Sequence, residues 1–214
     1  MVIISRYEED ISWIKDYKFD YIIYNKGSKL NEEYNVLDID NIGNNQRDIF
    51  KFIYDNYDNL PDVMTFIQAD PFEHCKKEKF DKLINNTVFT ALESYEDIQQ
   101  SDAQILDENG GYMEINNSWY ISSHNSTYNQ SCVYHSFPEF MLKVFKNYEY
   151  QYWNRFTPGS QYIITKDIAK FYSKNFWEFF MNILNKNNMT EGHIIERSLW
   201  MIFNCYLEPI DELK

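Results

Sequence analysis

No apolar run in this 214-residue chain approaches the ~20 residues that a membrane-spanning helix needs. Met1 leads directly into the strand-like VIIS and not into a secretory leader, so a soluble, cytoplasmic protein is expected. Positive charge is scarce. Against 33 Asp and Glu stand 20 Lys and Arg, and the net charge of −13 excludes a broad nucleic-acid surface. One nucleotide remains compatible, since a few local cations suffice for a single pyrophosphate. Cysteine is sparse too. Cys75, Cys132 and Cys205 are odd in number and widely spaced, which excludes a disulfide framework or a zinc pattern and fits a reducing compartment.

Several motifs are missing as well. There is no Gly-x4-Gly-Lys-Ser/Thr loop, and no Gly-x-Gly-x-x-Gly follows the first strand, so the usual dinucleotide fold is disfavoured. Neither a Gly-x-Ser-x-Gly elbow nor His-Glu-x-x-His occurs, and the histidines are scattered. What the chain does hold is apolar bulk. Hydrophobic residues make up 44% and aromatics 18%, enough to bury a sizeable core despite the polar remainder.

The periodicity is that of an α/β domain. Residues 2–5 read as a buried strand, and 8–17 as a helix with acids in its first turn and Ile11, Ile14 and Tyr17 at helical spacing. Residues 20–24 are a second strand stopped by Asn25-Lys26-Gly27, and 28–44 a polar stretch. Ile49, Phe50, Ile53 and Tyr57 mark one helix face, 63–67 a third strand, and 77–86 another helix. Residues 94–158 are polar and turn-rich, with a bend at Gly110-Gly111, a short strand at 119–122 and a helix over 138–148. A strand at 161–165, one long amphipathic helix over 166–185 and a last helix capped near Thr190 complete the chain. This cadence predicts a single domain with a mostly parallel sheet flanked by helices.

In such sheets ligands sit beyond the carboxyl ends of the strands. That rule nominates Ser5-Arg6-Tyr7, Tyr24-Asn25-Lys26-Gly27 and the stretch from Gln68 to His74. Asp70 either contacts a divalent cation bridging a diphosphate or merely caps a turn with Pro71. Gln68 offers a neutral amide oxygen. Arg6 and Lys26 face a phosphate or form surface ion pairs, and Arg47 has an anionic partner or pairs with Asp48. Glu196, between Ile195 and Leu199-Trp200, is either a general base with a raised pKa or an ion-pair partner of Arg197 or Lys186.

Two regions carry a resemblance. SRYEEDISWI (5–14), IYNKG (23–27), NIGNNQRDIFKFIYDNYDNLPD (41–62) and FIQADPF (66–72) resemble small α/β relatives of GT-A glycosyltransferases, including the chlorella-virus glycosyltransferase domain. GSQYIITKDIAKFY (159–172) and IIERSLWMIF (194–203) are similar to the acceptor half of the xylosyltransferase and branching N-acetylglucosaminyltransferase group. The resemblance spans about half of the chain and implies a GT-A-like, Rossmann-like domain over 1–214. Within it, 1–93 would bind the nucleotide sugar and 94–214 the acceptor.

Carried across, the resemblance places Ser5, Arg6, Tyr7, Tyr24 and Asn25 by the base and ribose. Asp70 takes the second position of an Asp-x-Asp motif beside a Mn²⁺ or Mg²⁺ ion, and Gln68 replaces the first. Arg6, Lys26 and Arg47 are candidates to neutralise the diphosphate. Gly159, Ser160 and Gln161 would shape the sugar and acceptor pocket, Trp119 and Trp153 would stack on sugar faces, and Glu196 would be the base. The expected partners are a UDP-sugar donor of glucose or rhamnose type and a glycan acceptor, with no nucleic-acid polymer and no membrane span. The alternative is a non-catalytic nucleotide- or carbohydrate-binding module on the same fold.

Overall fold

A computed structural model of the chain describes residues 1–94, 104–108, 110–115, 133–134, 136–185 and 189–211, without the side chains of 189 and 190. Trp119, the strand expected at 119–122, Lys186 and the Thr190 side chain lie outside the described residues. The strands are β1 (Val2–Arg6), β2 (Tyr21–Asn25), β3 (Val36–Asp38), β4 (Val63–Gln68), β5 (Thr90–Ala91), β6 (Gln104–Leu106), β7 (Tyr112–Ile115), β8 (Trp153–Arg155) and β9 (Tyr162–Thr165). The α-helices are α1 (Asn45–Asp55), α2 (Lys77–Leu83), α3 (Phe137–Val144), α4 (Lys166–Phe171), α5 (Lys174–Ile183) and α6 (Met189–Asn204).

A six-stranded sheet runs in the order β3-β2-β1-β4-β9-β5. β1 pairs parallel with β2 and β4, and β2 parallel with β3, while β9 runs antiparallel to both β4 and β5. The sheet is mostly parallel, as expected. It takes β9 from the second half of the chain, so the two halves share one sheet.

Side chains alternate across the strands with period two. Ile3, Tyr24, Phe66, Tyr162 and Ile164 face the core shared with α1, α3, α4, α5 and α6. Val2, Ile4, Ile23, Ile67 and Ile163 face the opposite core with Ile14 and with Phe80 of α2. Burial on both faces explains why these strands read as nearly unbroken apolar runs. Aromatic contacts lock α1 onto α5, with Phe50 5.1 Å from Phe180 and 6.0 Å from Trp177, centroid to centroid. Aromatic pairs of this kind add ~0.5–1.5 kcal/mol each beyond simple burial.

Four local expectations need correction. Residues 8–17 form only a 3₁₀ turn at Ser12–Asp16. Within the stretch read as polar loop, β3 adds an edge strand. The helix over 138–148 ends at Val144, and Tyr148 is buried beyond it. The helix over 166–185 breaks at Tyr172-Ser173 into α4 and α5, because Ser173 is extended and its Oγ accepts the Phe176 N–H at 3.2 Å, which starts a new helix. The middle region contributes a second, three-stranded antiparallel sheet, β6-β7-β8. Its β6–β7 turn uses Gly110 at φ +75°, with Asp107 Oδ1 accepting the Gly111 N–H at 2.7 Å. Among the described residues no helix is long and apolar enough to cross a membrane.

Candidate functional site

From β1 the sheet grows outward both ways, to β2 and β3 on one side and to β4 on the other. The strand order therefore reverses between β1 and β4, the position where open α/β sheets receive ligands. A cleft of about 460 Å³ lies at the carboxyl ends of these strands. Of the residues expected from sequence, Ser5, Arg6, Tyr7, Lys26, Gln68, Asp70 and Glu196 line it. Positions 5 and 196 belong to opposite ends of the chain, and only the fold brings them together.

Over residues 1–209, a span that includes every residue of this cleft, the chain matches the family model described as "Protein of unknown function (DUF3431)". The chain belongs to the DUF3431 family. No curated protein and no solved structure matches it.

The cations of the DUF3431 cleft are already engaged. Arg6 is 6% exposed. Its Nε donates to the Glu9 carbonyl at 2.9 Å, and its Nη1 to Tyr7 O, Asn25 Oδ1 and Ser28 O at 3.0, 2.7 and 3.1 Å. This ties the loop after β1 to the loop after β2, in place of the direct surface ion pair that was one of its two readings. Gly27 is needed at that junction, since a Cβ there would meet the Tyr7 carbonyl oxygen at 1.6 Å. Lys26 Nζ pairs with Asp48 Oδ2 at 2.7 Å, both side chains at or below 5% exposure. Ser5 Oγ donates to the same carboxylate oxygen. Burial pushes the Asp48 carboxyl above its ordinary range, opposed by Lys26 and Ser5.

Four candidates, Tyr24, Asn25, Arg47 and Trp153, stand apart from the cleft. Tyr24 is a core residue, 2% exposed, packed 6.3 Å from Phe52. Asn25 is buried behind Arg6 and donates to Asp38 Oδ1 at 2.8 Å. Arg47 does not line the cleft either; it interacts electrostatically with Asp48, the partner one reading gave it, while Lys26 makes the direct ion pair with that carboxylate. The Arg47 Nε is buried without a hydrogen-bond partner among the described residues, and its Cδ lies where a Cβ on Gly43 would come within 2.7 Å. Trp153 sits on β8 beside Tyr152, also outside the cleft lining.

The Gly159-Ser160-Gln161 stretch supports the cleft wall without forming it. Gly159 (φ +75°) and Ser160 (φ +54°) make consecutive left-handed turns. The Gly159 carbonyl accepts from Asn45 Nδ2 at 2.6 Å, Ser160 Oγ accepts from Gln46 Nε2 at 2.9 Å, and the Gly159 N–H donates to Glu196 Oε1 at 2.8 Å. Gln161 is fully buried. Its Oε1 accepts the Gln68 N–H at 3.3 Å and its Nε2 donates to Pro71 O at 3.1 Å. One turn thus clamps α1, α6 and the end of β4. A side chain at 159 would strike His74 Cδ2 at 2.5 Å, so only glycine fits.

Glu196 is the chemically distinctive group. Its side chain is 16% exposed in the cleft. Burial raises its pKa. His193 Nδ1 at 4.0 Å from Oε2, Arg197 Nη1 at 3.5 Å and the Gly159 N–H together outweigh that and hold the carboxyl below its ordinary value of 4.5. The raised pKa expected from its apolar sequence neighbours is therefore corrected to a lowered one. The ion pair with Arg197 is real, yet its 3.5 Å length is an electrostatic contact more than a hydrogen bond.

Asp70 Oδ1 accepts the Phe72 N–H at 3.3 Å, capping the short 3₁₀ turn Pro71–Glu73, while the residue also lines the cleft. Asp70 thus caps its turn at the edge of the cleft. Among the described residues no group of three or more His, Cys, Asp or Glu side chains is arranged to hold a metal ion. Arg6 and Lys26 face four carboxylates in the lining, those of Glu9, Asp70, Glu73 and Glu196. An anionic ligand entering alone would meet net repulsion.

The sequence reading missed Glu9, Asn45, Gln46, Asp48 and His193. For His193 a signal existed, because three residues before Glu196 on a helix means the same face. For Asp48 there was none, since only the tertiary approach of Lys26 gives it a role.

Proposed function

We propose that this protein is a GT-A-type glycosyltransferase that moves a sugar from a UDP-sugar to a hydroxyl of a glycan acceptor. One observation carries the reading. A cleft at the strand-order reversal joins the β1, β2 and β4 ends to a carboxylate, Glu196, from the far end of the chain. The acceptor oxygen attacks the anomeric carbon as the bond from that carbon to the diphosphate oxygen breaks, and the hydroxyl proton passes to Glu196. Nucleoside diphosphate is the leaving group. The N-terminus of α1, whose Asn45 and Gln46 line the cleft, adds partial positive charge on the diphosphate side.

The donor set fits a cation that arrives with the diphosphate, not a preformed cage. Asp70 would supply a carboxylate, Gln68 a neutral amide, and diphosphate oxygens the remainder, as Mg²⁺ and Mn²⁺ sites of this kind require. When bound, such an ion would supply positive charge against the negative charge building on the departing diphosphate. The acid excess of the lining supports that need.

A second reading has an observation of its own. Glu196 is held by the Gly159 N–H and Arg197 with a lowered pKa, which also suits a carboxylate that only accepts hydrogen bonds from a bound sugar in a non-catalytic module.

Thermal melting with UDP-sugars, with and without Mn²⁺, tests the proposal. A donor at 100 times its Kd should stabilise the fold by about 2.7 kcal/mol, or roughly 5–11 °C at this chain length. Release of UDP that depends on an added glycan acceptor separates transferase from binding module. No melting shift with any UDP-sugar would refute the transferase, and no shift with free glycans either would refute the binding module as well.

A further inference from the structure

Glu196 is braced from behind by the small sheet. Arg197 is 5% exposed, and its guanidinium is held by Glu114 of β7, itself 3% exposed. Nε at 2.9 Å and Nη2 at 2.7 Å both reach Glu114 Oε2. Nη1 donates to the His193 carbonyl at 3.2 Å and stands 3.5 Å from Glu196 Oε2. The guanidinium lies over the Phe156 ring at 4.6 Å, and Asn154 of β8 donates to the Arg197 carbonyl at 3.1 Å. β7 and β8 supply no residue to the cleft lining, yet they grip the helical turn that carries Glu196.

An arginine fork binds a carboxylate most strongly when two of its nitrogens engage it. Here two carboxylates compete for one fork, and Glu114 has taken the Nε/Nη2 side. We propose that Glu114 is a positioning residue that acts through Arg197, holding the guanidinium back so that Glu196 is not clamped and can accept a substrate proton. The proposal rests on the reading of Glu196 as the base. His193 on α6, Tyr112 on β7 and Tyr162 on β9 also interact electrostatically with Glu196. Across the cleft stand Arg6, Lys26, Glu9, Asp70 and Glu73. Of all these groups, Tyr112 also interacts electrostatically with Glu114 itself.

Glu114→Gln keeps the shape and removes the competing charge, leaving Glu196 as the guanidinium's carboxylate partner. The expected result is a kcat lower by about 10-fold, part of the ~10²- to 10⁴-fold that a general base contributes, with donor KM unchanged. The acid limb of the kcat–pH profile should move to lower pH. Adding Arg197→Met to Glu114→Gln should restore kcat, because the clamping cation is gone, and Glu114→Asp should keep the wild-type acid limb. A purely structural role predicts the opposite order, with the double variant worst. Full activity in Glu114→Gln, or no recovery in the double variant, overturns the proposal. Carbon NMR titration of the Glu196 carboxyl, assigned through Glu196→Gln, reads the same coupling without turnover. Its midpoint should fall in Glu114→Gln, and an unmoved midpoint would also overturn the proposal. If the midpoint moves while the wild type transfers no sugar, the transferase reading fails and the coupling stands.

Discussion

Replacing Glu196 by glutamine removes a charge while keeping the side chain's length and one acceptor oxygen for the Gly159 N–H. In the folded protein the ionised group is favoured by that N–H at 2.8 Å, by Arg197 at 3.5 Å and by His193 at 4.0 Å. Hydrogen bonds to charged groups contribute about 1.5–3 kcal/mol, against about 0.5–1.5 for neutral ones. The substitution should therefore cost about 1–2 kcal/mol at pH 7, with little solvent screening at 16% side-chain exposure. For a chain of this length that corresponds to about 2–8 °C in Tm.

The pH dependence gives the sharper check. A carboxyl whose folded pKa lies below its unfolded value contributes stability that is present above the unfolded value of 4.5 and lost as pH falls through the folded pKa. The gap between wild type and Glu196→Gln, measured by urea denaturation, should be constant near neutrality and close as the pH drops below 4.5. A variant as stable as the wild type at pH 7, or more stable, would refute the reasoning and restore the raised pKa suggested by the apolar sequence neighbours. The same variant should still bind a UDP-sugar, while acceptor-dependent UDP release is abolished.

Gly27→Ala should be severe, since its Cβ would overlap backbone, with the Tyr7 carbonyl oxygen at 1.6 Å and its carbon at 2.5 Å. A loss above ~3 kcal/mol in urea denaturation is expected, together with loss of ligand-induced stabilisation as the β1 and β2 loops separate; wild-type stability would contradict the junction described. Asp70→Asn should remove the Mn²⁺-dependent part of UDP-sugar affinity in calorimetric titration while leaving the fold intact. Identical metal dependence before and after would take Asp70 out of the cation's coordination.

The positions of the strand ends were legible because they are local facts. An apolar run that stops at Ser5, Asn25 or Gln68 marks the end of a strand, and the polar residues there sit at the sheet's carboxyl edge, whether they turn to the cleft or, like Arg6 and Asn25, to each other. Partnerships were not legible. Lys26 pairs with Asp48, far along the chain, and Arg47 packs against Gly43 with its Nε buried. Gln161, placed in the pocket by resemblance, proved to be a brace between β4 and the Pro71 turn. The break between α4 and α5 hinges on the extended backbone of Ser173, which an amphipathic pattern continuing through it concealed.

The sequence by itself determined an α/β domain with a mostly parallel sheet, and put Ser5, Arg6, Gln68 and Asp70 at the ends of its inner strands. Apolar periodicity is a property of neighbouring residues and survives without knowledge of the fold. Only the tertiary structure decided the state of Glu196. Its hydrogen-bond donor lies 37 positions away, and the residue restraining its arginine lies 83 positions from that arginine. A carboxylate's ionisation is set by the charges and dipoles packed within a few ångströms, and the chain delivers those from segments that share no local pattern.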